Sequence, residues 1–292
     1  MLLKSLIKPY LLNPALKPYF QHPEHIWRNI LLRFPSKASD KNHVFIIGAP
    51  RSGTTLLHVI LTAHPLFTGC QTETCLFTWQ NLFCNDSFCT SGLSKDEMSE
   101  TLRHSKDVIQ FFDKLVDKVL CNTGSKRFIE KTPQHIFRLR FLIKWYPNAQ
   151  FIHIYRDGRD CYCSSRNHSV IRQYHDIVSY AYRWRRSIRT RLRQGQSSNI
   201  LDVKYEELTS EPEKNIRQIM SFLGEEFVTQ QLDPNIYGLD KRSQEEQFTK
   251  LAKPIDSTSQ NRWKQELSRK EIEIFQKIAG AELHLLGYPI DE

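Results

Sequence analysis

The stretch from His43 to Leu61 limits what this chain can fold into more than any other. Val44-Phe-Ile-Ile47 is a short β-branched and aromatic run, suited to a buried strand. Gly48, Pro50 and Gly53 then interrupt the pattern. From Thr54 onward Leu57, Ile60 and Leu61 recur at helical spacing, so the stretch reads as strand, turn, helix. A glycine-rich turn feeding a helix N-terminus aims free N–H groups and the positive end of the helix dipole at one point, which is an anion site. The fold class this predicts is α/β.

The spacing Gly48-x-x-x-x-Gly53-x-Thr55 is that of a Walker A loop with one change. Thr54 stands where the Lys that reaches the β/γ-phosphates belongs. The positive charge sits instead at Arg51, inside the turn, where a guanidinium offers planar, bidentate recognition of an oxyanion. The loop is built for phosphate or a relative of it, rather than for Mg-NTP. The plain alternative is a Gly-Pro turn with an ordinary capped helix.

A second unit of the same kind follows. Gln150-Phe-Ile-His-Ile-Tyr155 reads as a buried strand, Asp157-Gly158 as its turn and Asp160 as the cap of a helix running through Ser164 and Ser165. Arg127 to Lys131 is another short strand, stopped by Pro133, which opens a helix His135 to Trp145. Asn199 to Lys204 is a third apolar strand, turning at Tyr205, with a helix from Pro212 to the Gly224 stop. Leu102, Ile109, Phe112, Val116 and Val119 mark one amphipathic helix, and Asn81 to Lys95 an aperiodic loop suited to a substrate. In the helix His175 to Arg193, Ile177, Ala181, Trp184 and Ile188 face inward, and the run of arginines between 183 and 193 reads as a solvated face. Arg269 to Leu286 closes the chain.

Hydrophobic residues make up 40% of the 292 and charged residues 25%, in the range of a soluble globular protein. No apolar run is long enough to span a membrane, and Pro9 cuts the first apolar stretch short of a secretory signal. A cytoplasmic enzyme of one domain, residues 1–292, is expected, with 1–42 an arm packed on it; a peripheral membrane contact of that arm stays open. The seven cysteines show neither Cys-x-x-Cys nor other paired metal spacing and read as reduced thiols. A net charge of +9 fits an anionic ligand, nucleic acid or an acidic membrane alike.

Gly48-Ala-Pro-Arg-Ser-Gly-Thr-Thr55 resembles the 5′-phosphosulfate loop of the sulfotransferases that use 3′-phosphoadenosine 5′-phosphosulfate (PAPS). With Ala63-His64-Pro65 behind it, it is most similar to the tyrosylprotein, carbohydrate and bacterial branches. The resemblance implies a P-loop-like three-layer fold, a central parallel sheet flanked by helices. It implies that Arg51, Ser52, Gly53, Thr54 and Thr55 hold the 5′-phosphosulfate. Arg156 and Ser164 match the two 3′-phosphate contacts, and Arg166 stands near His168, where the tyrosylprotein enzymes place a further Arg. Glu73, one residue further from His64-Pro65 than in the family, matches the base that deprotonates the acceptor hydroxyl. Lys131, in Glu130-Lys-Thr-Pro133, matches the Lys on the transferring group. Tyr205 and Lys253 match residues near the cofactor. For Glu73 and Lys131 the plain alternatives are a surface Glu capping a turn and a turn-exposed Lys; for Lys253, a loop Lys with no role.

The implied reaction is in-line sulfuryl transfer from PAPS to a hydroxyl, with a carbohydrate acceptor weakly preferred, without metal and without a nucleic-acid partner. Two other readings stay open: a P-loop kinase or NTPase with a degenerate loop, and a non-catalytic anion- or RNA-binding protein using the Arg-rich helix.

Overall fold

The sheet is built from β1 (Val44–Gly48), β2 (Phe67–Gly69), β3 (Arg127–Lys131), β4 (Gln150–Tyr155) and β5 (Ile200–Lys204). They lie in the order β2-β3-β1-β4-β5, every pair parallel. A computed structural model describes residues 21–166, 176–237, 251 and 253–290. Its helices are α1 (His25–Leu31), α2 (Thr54–Thr62), α3 (Lys95–Arg103), α4 (Val108–Thr123), α5 (Leu139–Trp145), α6 (Gly158–Ser165), α7 (Ile177–Leu192), α8 (Tyr205–Ser210), α9 (Pro212–Leu223), α10 (Pro234–Tyr237), α11 (Trp263–Glu266) and α12 (Arg269–Leu285).

Alternation along β1 builds the three layers. Val44 and Ile46 pack with Leu57, Ile60 and Leu61 of α2 and Ile216 and Ile219 of α9. Phe45 and Ile47 turn the other way, onto Phe112 and Leu115 of α4 and Leu142 of α5. A third cluster joins Trp184 and Ala181 of α7 to Phe275 and Ala279 of α12 and to Trp263. Buried on both faces, the central strands need the near-continuous apolar runs that the sequence shows.

The topology fixes where a ligand can sit. From β1 the chain fills one side with β2 and β3, then crosses over to add β4 and β5 on the other. Such a reversal opens a crevice at the carboxyl ends of the two middle strands. In spatial order the carboxyl ends of β3, β1, β4 and β5 deliver Lys131, the 49–53 loop, Arg156 and Tyr205.

Several expectations need correction. The stretch from Leu102 to Val119 is two helices, because Asp107 caps α4 by accepting from the N–H groups of Ile109 and Gln110 at 3.0 Å each. Pro133–Arg138 is a 3-10 turn and the α-helix begins only at Leu139. Asp157, not Asp160, caps α6, accepting from Arg159 N at 2.9 Å. Tyr205 opens a short helix rather than a turn. β2 went unread because it is only three residues long.

The arginines of α7 are a solvated face only in part: Arg186 and Arg189 are exposed, yet they and their neighbours make specific contacts. Arg191 is buried and holds Asp202 with two bonds, at 2.9 and 2.8 Å. Arg189 pairs with Glu282, Arg185 donates to Ile278 O at 2.9 Å, and Arg183 and Arg186 both stand 4.9 Å from the Phe137 ring. The arginine stems and heads are spent on packing α7 against α12, β5 and the 133–138 turn.

Of the N-terminal arm, residues 21–42 are described: Leu32 enters the core and Arg33 donates to Leu76 O and, at 2.7 Å, to Gln80 O. The membrane contact considered for its first residues lies outside the described residues.

Candidate active site

Two glycines shape the first loop. A Cβ on Gly48 would lie 2.3 Å from Ile154 O, so β1 can approach β4 only with no side chain there. Gly53 has φ +102° and faces the Tyr205 ring, which a Cβ would meet at 2.5 Å. Between them Arg51 adopts φ 70°, a left-handed conformation that costs a non-glycine residue about 1–2 kcal/mol. Ser52 donates its hydroxyl to Ala49 O at 2.7 Å and closes the turn. From outside, Tyr180 of α7 donates to Pro50 O at 2.5 Å. Gly53 caps α2 without a side-chain acceptor, which leaves the first-turn N–H groups of the helix facing the crevice.

The second anion motif lies against the first. Arg51 Nε donates to Ser164 Oγ at 3.1 Å, and Arg156 Nη1 reaches Arg51 O at 3.5 Å. Arg156 is buried, with its guanidinium 4.5 Å from the Tyr205 ring centre, 3.8 Å from Asp160 and bonded to Ser259 O. Its Nε has no hydrogen-bond partner. Burial first, and the Arg156 charge as well, hold the Arg51 guanidinium below its ordinary range. Two adjacent guanidiniums, one buried and one half-buried, are what an anionic ligand would relieve.

Trp184 Nε1 donates to Arg156 O at 3.1 Å, and Gly158 makes room for it, since a Cβ there would sit 2.6 Å from the indole and from Phe275. Asp160 accepts from the N–H groups of Asn261 and Trp263 at 2.8 and 2.9 Å, which brings the C-terminal stretch over the site. Lys253 is exposed, and the contact described for it is through its carbonyl, which accepts from Tyr237 Oη at 2.7 Å. Ser259 is the residue of that stretch that reaches Arg156. Arg166 lies 3.7 and 3.9 Å from Glu266 and Glu271, so its guanidinium is engaged with carboxylates; His168 lies outside the described residues.

At the neighbouring strand end Lys131 Nζ stands 3.3 Å from Glu73 Oε1. The lysine side chain is 3% exposed and the glutamate 40%, so the cation is fixed in the wall while the carboxylate opens to solvent. Lys131 lies in register with Ile46, two residues before Gly48, and this sets the pair beside the first loop.

Behind this pair is a network that the sequence did not disclose. The fully buried Glu130 carboxylate accepts from Thr74 Oγ1 at 2.7 Å, Thr132 Oγ1 at 2.6 Å and His135 Nδ1 at 2.8 Å. Phe77 N donates to His135 Nε2 at 3.3 Å, so that nitrogen is an acceptor and the ring proton is on Nδ1. Cys75 N donates to Thr132 Oγ1 at 3.1 Å. The only advance sign was three polar residues in a strand that otherwise reads as buried.

A family profile described as "Sulfotransferase family" matches residues 43–230. The chain belongs to the sulfotransferase family. A Caenorhabditis briggsae protein provisionally named a protein-tyrosine sulfotransferase is 28% identical over 259 residues, covering 84% of this chain and 88% of its own length. Protein-tyrosine sulfotransferase 1 of Danio rerio is 32% identical over 189 residues, 62% of this chain; the match spans only about half, 52%, of that relative. Among solved structures, the sulfotransferase domain from the curacin biosynthetic pathway superposes with a TM-score of 0.63 at 17% identity, over 87% of this chain and all of the domain. The P-loop-like three-layer fold expected of this sulfotransferase is therefore the one observed, and PAPS is the donor that goes with the family.

The site's features fit such a donor. An uncapped helix N-terminus at Gly53, an orphaned buried guanidinium nitrogen on Arg156 and the adjoining Arg51 guanidinium match a nucleotide phosphorylated at both its 3′ and 5′ ends.

Proposed function

We propose that this sulfotransferase moves the sulfuryl group of PAPS to the phenolic hydroxyl of a tyrosine side chain. The observation that carries the chemistry is the Glu73–Lys131 pair, 3.3 Å apart and beside the Arg51 loop. The tyrosine acceptor rests on the relatives, whose names give that acceptor.

In this reading Arg51 and the N–H groups from Ser52 to Thr55 hold the 5′-phosphosulfate and meet the charge that grows on the departing phosphate. Arg156 and Ser164 hold the 3′-phosphate. Tyr205 supports Arg156 from below, and Lys253 belongs to the stretch that closes over the nucleotide. Lys131 faces the transferring group. Glu73, the exposed member of its pair, accepts the acceptor's proton, and a general base so placed supplies about 10²–10⁴-fold. Fixed cations and amides do here what Mg²⁺ and side chains share in phosphoryl transfer. Where the reaction takes place in the cell is read from the chain's reduced thiols as the cytoplasm.

The kinase reading has less support, because Thr54 replaces the Walker lysine and the carboxylate at the end of β3, Glu130, has both oxygens occupied. The RNA reading is left with a smaller arginine face, because Arg191 is buried on Asp202 and Arg183 lies against the Phe137 ring.

The test is transfer of labelled sulfate from PAPS to a tyrosine peptide, with a phenylalanine peptide and an oligosaccharide in parallel. Label on the tyrosine peptide alone supports the proposal. Label on the oligosaccharide alone replaces it with a carbohydrate acceptor.

A further inference from the structure

We infer that Glu130, Thr132 and His135 are positioning residues that set Glu73 against Lys131. The inference rests on the roles just proposed for that pair. Lys131 belongs to β3 and is placed by the sheet. Glu73 belongs to an irregular stretch after β2, and needs something else to place it. The buried network supplies that.

Three links run from the end of β3 and the 133–138 turn to the segment that follows Glu73. Thr74 Oγ1 donates to Glu130, Cys75 N to Thr132 Oγ1 and Phe77 N to His135 Nε2. On the far side Asn85 Nδ2 donates to Thr74 O at 2.7 Å. Two consecutive backbone N–H or hydroxyl groups after Glu73 are thus spoken for by residues on either side of Lys131. Cys75 is held at φ 52°, a conformation that persists only where the surroundings over-determine it. Glu130 and Lys131 are adjacent in a strand and so point to opposite faces. The strand therefore offers its cation to the crevice and its carboxylate to the network behind it. A displacement of about 1 Å at a reacting group is enough to cost about 10²-fold in rate, which is the scale such a device protects.

Thr132→Val and Thr132→Ser test this, with Thr74→Val and Thr74→Ser as a second pair. For each, the measurements are kcat and KM for tyrosine-peptide sulfation, calorimetric affinity for 3′,5′-ADP, and hydrogen exchange at the Cys75 and Phe77 amides. The expected result for Thr132→Val is kcat down by about 10²-fold with 3′,5′-ADP affinity kept and the Cys75 amide exchanging faster, as a displaced base predicts. Thr132→Ser is expected to restore both. If Thr132→Val loses nucleotide binding altogether, Thr74→Val carries the same comparison from the other side of the network. Undiminished kcat beside a freely exchanging Cys75 amide overturns the inference, and so does unchanged protection of that amide. The exchange measurement needs no acceptor. A wild-type protein inert toward the peptide therefore sinks the tyrosine reading, and the amides still decide whether the network holds the Glu73 segment.

Discussion

Arg51 Nε donates to Ser164 Oγ at 3.1 Å across 113 residues of sequence. One bond joins the two anion motifs, so the loop after β1 and the helix after β4 form one surface rather than two sites. Arg156 adds a second tie by reaching Arg51 O.

Loss of either guanidinium should therefore show in the binding of 3′,5′-ADP. Arg51→Ala and Arg156→Ala are each expected to weaken it by about 10–100-fold, since a charge-assisted hydrogen bond is worth about 1.5–3 kcal/mol. Calorimetry measures this directly. Unaltered affinity in both variants would remove the nucleotide from this crevice.

The glycines separate steric from conformational demand. Gly92 and Gly195 also have positive φ, but a Cβ on either meets nothing within 4 Å. Alanine at those positions should cost about 1–2 kcal/mol, the left-handed penalty alone. Gly53→Ala adds a clash with the Tyr205 ring, and Gly48→Ala one with backbone that cannot turn aside. Thermal unfolding should rank Gly48→Ala and Gly53→Ala well below the other two. Equal melting temperatures would mean that β1 and β4 do not approach so closely.

Glu73→Gln should separate chemistry from binding. The amide keeps the size of the side chain but accepts no proton, so kcat is expected to fall by about 10²–10⁴-fold. Affinity for 3′,5′-ADP should stay near the wild-type value. A variant with wild-type kcat would move the base elsewhere.

Glu130 predicts a pH dependence of stability. Burial pushes its carboxyl upward, but the interaction with His135 and the hydrogen bonds from His135, Thr132 and Thr74 outweigh it and hold the group below the ordinary 4.5. The unfolded chain then takes up this proton at a pH where the native chain does not. The stabilisation is fully present above 4.5 and drains away as the pH falls through the native value. Glu130→Gln strands at least one buried donor, costing about 1–3 kcal/mol near neutrality. Its urea midpoints should fall less steeply than the wild type's below pH 4.5, and parallel curves would contradict this account.

What could be read from the sequence followed from how local the signal was. Gly48, Arg51 and Gly53 lie in one turn, and their spacing alone announces an anion loop; Arg156 and Ser164 do so again. Glu130 was different. Beside Lys131 it looked like one half of a charged turn, and its partner Thr74 lies 56 residues away. The arginines of α7 misled for the same reason. A basic run is solvated unless carboxylates on other elements answer it, and Asp202, 11 residues past Arg191, and Glu282, 93 residues past Arg189, do. β2 was too short for alternation to register, and exists because β3 offers it an edge to pair with.

Asp160 gathers Asn261 and Trp263, and Ser259 hands its carbonyl to Arg156. During synthesis the strands and the first loop leave the ribosome long before these residues do, and folding domains are made N-terminus first. A nascent chain can thus complete its sheet with Arg156 still lacking the Ser259 carbonyl. The nucleotide pocket therefore takes its final form only once residues 259–263 have been made, well after the strands that carry its two loops.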